Sequence, residues 1–374
     1  MAPTKAQRPV TFDQLHAFRL ARHHLLDRKP ADPVMICGDV CGVQAQIMSA
    51  GYLQIWARST SVSVNDIEDL LWRKRTLVKT SLMRQTLHLI AAEDFHLYIS
   101  ALRASRAAPV LRIMAKFGIT EAEANDLTVT IVDALASGPL SRQAIRAHVK
   151  TRSSKRVRAW MEKVWSIMRL PVSEGLVCYG EGDGNEAMMI RTEQWLPALA
   201  KKKMLPAQAA QAELLRRYLH AYGPASMRDF SHWSGIPMAE LKKNFPSLPD
   251  GLAEIDGRFL LSEDASILHR ASAADSVHLL PSFDVYLLAH AAKDHLLEQA
   301  FYKRVYRNQG WISPVVLVNG IVVGVWSYEP KGKRLEVVIS PFRSVEKSVR
   351  AAIEERAESL GQFFSREALI SFSK

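Results

Sequence analysis

Cysteine is scarce in this chain: Cys37, Cys41 and Cys178 are its three thiols in 374 residues, too few for a disulfide framework. Cys37 and Cys41 stand four apart, but no His or Cys cluster follows at a spacing that would complete a zinc site, so no metal is expected. Two buried free thiols on one helix face, in a reducing cytoplasm, are the simpler expectation. The chain also lacks any apolar run of the ~18 residues that a membrane helix needs, so no membrane partner is expected. Gly-rich phosphate loops, nucleophile elbows and metal-ligand sets are missing too. Their absence argues against nucleotide-driven enzymes, α/β-hydrolases and metallohydrolases, and no cofactor is expected. Acidic residues are in deficit, with 38 Asp and Glu against 49 Lys and Arg, a net charge of +11. Such an excess suits a polyanionic partner, because each neutralised phosphate releases counterions. Many soluble proteins are this basic without binding nucleic acid, so charge alone decides nothing.

What is present is a globular composition, 48% hydrophobic and 23% charged, in a chain too long for one ordinary core. The clearest unit lies at 207–263. Apolar Ala210, Leu214, Leu215 and Leu219 recur at helical spacing, and Gly223-Pro224 stops that helix. Ser226 caps a second helix, Met227 to Trp233, and Gly235-Ile236-Pro237 turns into a third, Met238 to Phe245. Asp256-Gly257 then marks a two-residue hairpin. Helix, turn, helix, turn, helix, hairpin is the winged-helix order.

The order recurs more loosely upstream. Helices are expected at 122–136, 142–149 (capped by Ser141) and 157–169, with strands around Glu181 to Asn185. Nearer the N-terminus, helices at 11–27, 40–58 and 64–73 precede a hairpin-like segment, Leu77 to Ile90. After residue 273 the texture changes: a β-branched hairpin surrounds Asn319-Gly320, another strand runs from Leu335 to Ile339, and an amphipathic helix from Val345 to Leu360. The fold class expected is α+β, mainly α: three tandem winged-helix units at 8–92, 93–200 and 201–272, then a C-terminal β-rich, barrel-like domain at 273–374.

Basic clusters fall at corresponding places in the first two units. Lys150, Arg152, Lys155, Arg156 and Arg158 flank the start of a third helix, the element that usually faces a DNA groove. Arg73, Lys74, Arg75, Lys79 and Arg84 occupy the equivalent region upstream, and Lys201 to Lys203 and Lys303, Arg304 and Arg307 add charge. Any one cluster could be a solvated face; chance has no reason to respect the repeat. Arg84, Thr86 and His88 alternate, and in a strand they share a face toward DNA. The lysines offer no isolated, apolar-flanked amine of the Schiff-base kind, so no lyase activity is expected.

Four ordered stretches carry a resemblance. They are Gly42-Val43-Gln44-Ala45-Gln46, Leu82-Met83-Arg84-Gln85-Thr86-Leu87-His88-Leu89, Leu280-Pro281-Ser282-Phe283-Asp284, and Val316-Leu317-Val318-Asn319-Gly320 with Gly324-Val325-Trp326. Together they resemble the winged-helix DNA glycosylase superfamily. The similar branch is the AlkZ-like one, with Gln-x-Gln, rather than the YcaQ-like sister branch, with Gln-x-Asp. That family more often has Gly where this chain has Gln85. The resemblance implies a monomeric, cofactor-free enzyme of the cytoplasm and nucleoid that acts on double-stranded DNA with alkylated purines and unhooks interstrand crosslinks.

It also implies that Gln44 and Gln46 are catalytic, which makes chemical sense. An N7-alkylated purine is cationic and leaves without a strong acid, so the enzyme need only place a water and stabilise oxocarbenium-like charge. A carboxamide can orient that water but cannot deprotonate it outright. In mid-helix, residues two apart point away from each other, so the pair is expected at a helix start or in the preceding loop. Asp284 is an auxiliary candidate near the sugar, or an Asx-turn residue. The alternative is a non-catalytic winged-helix DNA-binding protein, such as a transcriptional regulator.

Overall fold

The computed structural model describes residues 9–164, 166–182, 187–199 and 202–373. The N-terminal segment departs most from expectation. Its first helix, Phe12–Arg22, opens on a Thr11/Gln14 capping box and stops short of residue 27. The single helix expected over 40–58 is replaced by a short helix, Pro33–Asp39, a strand, β1 (Val43–Gln44), and a second helix, Met48–Trp56. Cys41 (φ 59°) and Gly42 (φ 83°) turn the chain between the first two. A Cβ on Gly42 would lie 2.7 Å from Ile90 Cγ2, so this approach requires glycine. Cys37 and Cys41 are both buried, but only Cys37 lies in a helix, so they do not share a helix face. β1 forms because it pairs with the hairpin that follows helix Val64–Glu68, made of β2 (Leu77–Ser81) and β3 (Leu87–Ala91).

A long helix not foreseen, Phe95–Lys116, leads to helix Glu121–Ala134 and strand β4 (Leu140–Ser141). Ser141 caps helix Arg142–Arg152 by accepting from Ala144 N–H. The third helix expected here is split into Lys155–Met161 and Arg169–Ser173. Strands β5 (Val177–Tyr179) and β6 (Met188–Arg191) follow; Asp183 to Asn185, within the stretch where strands were expected, lie outside the described residues. The two hairpins do not stand apart as separate wings. They join in one six-stranded sheet, β1-β3-β2-β5-β6-β4, whose seam is the antiparallel pair Lys79↔Tyr179 between β2 and β5.

The order read at 207–263 is what the chain adopts. Helices Ala207–Tyr222, Met227–Ser234 and Met238–Asn244 precede β7 (Leu252–Ile255) and β8 (Arg258–Leu261). Local chemistry accounts for it: a Ser226/Asp229 capping box, Gly235 in the left-handed region at the second helix's end, and positive φ at both Asp256 and Gly257.

The C-terminal sheet runs β13 (Glu367–Phe372), β12 (Arg334–Pro341), β11 (Ile321–Lys331), β10 (Val315–Val318), β9 (Val277–Leu280). It is open, with β9 and β13 at its edges, so the barrel-like expectation is corrected to an open five-stranded sheet. β13 was not foreseen. It pairs parallel to β12, which requires a crossover, and helix Lys347–Phe363 supplies it. One apolar core joins the first, third and C-terminal segments, and a second fills 107–189. Val177 and Met189 face the second core, while their neighbours Cys178 and Ile190 face the first, so β5 and β6 separate the two.

Candidate active site

A cleft of about 350 Å³ opens at the β2–β5 seam, and Gln46 is on its wall. The backbone around Gln46 explains how the side chain is held. Ala45 N–H still donates to Leu87 O (2.7 Å), continuing the β1–β3 ladder. The reciprocal donor, Leu87 N–H, is taken up by Gln46 Oε1 at 3.2 Å. The carboxamide thus ends the ladder, leaving a second oxygen lone pair and two amide protons for a ligand.

Gln44 sits two residues earlier, paired across the strands with His88. It is 5% exposed, and its Oε1 has no hydrogen-bond partner among the described residues. Gln44 lies in extended backbone and Gln46 in the bend before helix Met48–Trp56, so neither is mid-helix, but of the two only Gln46 lines the cleft. Gln54 fixes this strand: its Nε2 donates to Gln44 O (2.7 Å) and its Oε1 accepts from Val285 N–H (3.2 Å).

The charged residues among the cleft's described lining are all of one sign. Lys79, Arg106, Arg142 and Arg169 line it, and among its described lining residues there is no carboxylate. Arg106 is buried, with Nε and Nη1 lacking hydrogen-bond partners among the described residues, and burial lowers its pKa to about 10. Lys79 Nζ lies 5.6 Å from the Tyr179 ring centroid. Burial, and then Arg142, lower its pKa to about 8. A wider cleft of about 590 Å³ elsewhere carries Asp32, Asp39, Glu93, Asp94, Glu213 and Glu263. That acidic surplus would repel phosphates.

The other sequence candidates scatter. Arg84, Thr86 and His88 do not share a strand face: Arg84 lies in a 3-10 turn with φ 52°, and Thr86 Oγ1 donates to Met83 O. His88 is buried in β3, its Nδ1 2.9 Å from Thr86 O, and burial pushes its pKa down to about 3, so it carries no charge to a phosphate. Gln85 has φ 61°, the left-handed region that favours glycine, which accounts physically for the glycine commoner at this place; its side chain lines the cleft.

Asp284 is fully buried and held by Arg58 through two bonds of 2.7 and 2.8 Å, with exposure 0% for both side chains. Its Oδ1 also accepts from Tyr286 N–H, the Asx-type cap foreseen for it. It cannot approach a sugar from there. Burial opposes the Arg58 charge, but the Asp284 carboxylate outweighs it and raises the Arg58 pKa.

Lys150, Arg152, Lys155, Arg156 and Arg158 are exposed around the turn between helices Arg142–Arg152 and Lys155–Met161. Lys150 is paired with Glu162 and Arg156 with Glu123, leaving Arg152, Lys155 and Arg158 without an ion-pair partner among the described residues. Arg73 and Lys74 are exposed and both turn to Asp69, while Arg75 stacks 4.1 Å from the Trp195 ring. Lys201 lies outside the described residues. Sequence reasoning missed Arg106, Arg142, Arg169 and Tyr179, whose convergence requires the seam, and Gln54 and Arg58, whose polarity in an apolar helical stretch was the available signal.

Comparison with known proteins agrees with this architecture. A sequence profile of the family described as "DNA glycosylase AlkZ-like" matches residues 38–363. The Streptomyces sahachiroi protein named "Interstrand DNA cross-link repair glycosylase" is 31% identical over 376 residues, covering 93% of this chain and 95% of that one. The solved structure of Streptomyces sahachiroi DNA glycosylase AlkZ superposes with a TM-score of 0.85 at 26% identity, over 98% of this chain and 100% of the other.

Proposed function

Because the chain belongs to the AlkZ-like DNA glycosylase family, we propose that it hydrolyses the N-glycosidic bond of N7-alkylated purines in double-stranded DNA and unhooks interstrand crosslinks. The observation that carries this reading is the placement of Gln46 on a cleft whose described charged residues, Lys79, Arg106, Arg142 and Arg169, are all cationic. Phosphates flanking a lesion would find there the Arg106 guanidinium, whose Nε and Nη1 lack partners among the described residues. The exposed residues Lys150, Arg152, Lys155, Arg156, Arg158, Arg73 and Lys74 would follow the duplex backbone outside it, chiefly by charge.

Gln46, held by Leu87 N–H, orients a water toward C1′ with its free lone pair and amide protons. Gln44 Oε1 is a buried acceptor without a donor among the described residues, a state that costs about 1–3 kcal/mol; it does not line the cleft, and its catalytic part rests on the family resemblance. The cationic purine departs as a neutral base, and the water closes on the oxocarbenium-like sugar. No strong base is required, which confines activity to labile, charged lesions. An open cleft also tolerates a bulky or crosslinked partner that a closed flipping pocket would exclude.

The test is release of the base from a duplex holding one N7-methylguanine, with Gln44→Ala and Gln46→Ala variants that still bind duplex. Loss of release in both supports the reading. Sequence-selective binding without any turnover would assign the protein to transcriptional regulation instead.

A further inference from the structure

The β2–β3 turn carries another carboxamide into the cleft, and the hydrolysis above leaves it unused. Thr86 N–H donates to Met83 O at 3.1 Å, and the two residues between, Arg84 and Gln85, have φ 52° and 61°. Two successive left-handed residues closed by such a bond make the hairpin turn that favours Asn and Gly. This chain has neither there, although a larger side chain strains that backbone. The conformation is held from outside. A Cβ on Gly235, at the end of helix Met227–Ser234, would stand 3.2 Å from Arg84 N, so the third unit presses on the turn. The half-buried Gln85 side chain lines the cleft, and its amide makes no hydrogen bond among the described residues. Gln46 is tied to Leu87 N–H, two residues further along the same hairpin. Gln46 and Gln85 are thus the two carboxamides on the described lining.

We propose that Gln85 contacts the damaged base and selects for guanine, its Nε2–H donating to the C6 oxygen of an N7-alkylguanine. The inference rests on the reading that this cleft receives the lesion. A carboxamide has an acceptor end and a donor end. The charged residues on the described lining, Lys79, Arg106, Arg142 and Arg169, are all cations, and they draw the oxygen toward the wall. The amide protons are left to the ligand. Guanine offers an oxygen at C6, whereas adenine offers an amino group there, and two donors do not pair.

The contact strengthens as the reaction proceeds. A cationic N7-alkylguanine becomes neutral on leaving, so electron density returns to its ring and its oxygen accepts more strongly in the transition state than in the bound substrate. Gln46 serves the water and the sugar, and Gln85 serves the departing base. A side chain that only filled the turn would give no such dependence on the purine.

The experiment incubates the full-length protein with duplex DNA treated with a simple methylating agent, and chromatography resolves N7-methylguanine and N7-methyladenine as both are released. The readout is the ratio of the two single-turnover rates. Gln85→Leu keeps the bulk and lacks the amide; it should lower the guanine-to-adenine ratio by about tenfold, the loss of one neutral hydrogen bond. Gln85→Gly also lacks the amide but suits the turn; it should lower the ratio likewise, with a urea unfolding midpoint no lower than that of the wild type. Gln85→Asn keeps an amide on a residue that tolerates the left-handed region, and its ratio should stay within about threefold of the wild type's. An unchanged ratio in Gln85→Leu and Gln85→Gly, or a ratio no higher in Gln85→Asn than in Gln85→Leu, would overturn the proposal. A wild type that releases neither base would end the glycosylase reading and this proposal with it. Release by the wild type at a ratio indifferent to these substitutions would end this proposal alone.

Discussion

Replacing Asp284 by Asn separates an interior anchor from a catalytic acid. Arg58 and Asp284 are both 0% exposed, and two short bonds join them. Arg58 also donates to Gln54 O (2.9 Å), and Gln54 in turn holds Gln44 O and Val285 N–H. The pair therefore locks the C-terminal sheet's entry loop to the helix behind the glutamines. Asn is nearly isosteric and keeps the acceptor for Tyr286 N–H, so the change removes charge with little change of volume. It leaves a buried guanidinium without its counter-ion, a loss of about 3–5 kcal/mol. With a urea m-value of about 3 kcal/mol/M, the unfolding midpoint should fall by roughly 1–1.7 M. Adding Arg58→Met, which removes the stranded charge, should recover most of that loss. The folded fraction of Asp284→Asn should retain base release within about threefold, because the side chain lies outside the cleft. An unchanged midpoint with base release reduced by about a hundredfold or more would refute this account and return Asp284 to the chemistry.

Acid should destabilise the fold in a window set by buried histidines. His16, His88, His278 and His295 are buried, and burial first of all lowers their pKa values to about 4, 3, 3 and 2. The unfolded chain, titrating near 6.5, binds protons first, so stability is full above that pH and is lost below it until the folded values are reached. At pH 5.5 each histidine accounts for about 1.4 kcal/mol; a urea midpoint flat from pH 7 to 5.5 would contradict the assignment. Gln46→Ala should lower single-turnover base release by about 10²–10³ with duplex affinity nearly unchanged, and a matching loss of affinity would mean that Gln46 merely binds. Lys155→Ala and Arg158→Ala should each weaken binding uniformly across sequences and reduce the salt slope by about one. If either changes sequence preference, these residues read bases and not phosphates.

Elements with local causes were legible in the sequence. The unit at 207–261 could be read because capping box, C-cap glycine and Asp-Gly turn are all encoded within a few residues of where they act. β1 reads as helix in the sequence because its cause is distant: Gln44 is extended through pairing with His88, across a turn at Gly42 that a propensity reading does not weigh. The same holds for the anchor motif ending in Asp284. Its partner Arg58 is 226 positions away and turns a candidate for chemistry into a tether. Lys79 stood in a basic cluster, and what distinguishes it from Arg73 or Lys74 is Tyr179 across a seam between two units.

A cleft of cations is a difficult place to create a sugar cation, and that difficulty bears on why amides occupy it. Without DNA, Lys79, Arg106, Arg142 and Arg169 have no carboxylate among the described residues lining the same space; phosphates entering the cleft supply the balancing charge. After that neutralisation, cleavage of an N7-alkylpurine moves positive charge from base to sugar without changing the total. Only groups whose distance from that charge changes can then favour the transition state. A carboxylate at position 46 would stabilise the sugar more strongly, but beside Lys79 and Arg142 it would be drawn into an ion pair and turned from the water. A neutral carboxamide, already committed through one lone pair to Leu87 N–H, keeps its orientation in that field. Its weakness as a base and its indifference to the surrounding cations have the same physical origin.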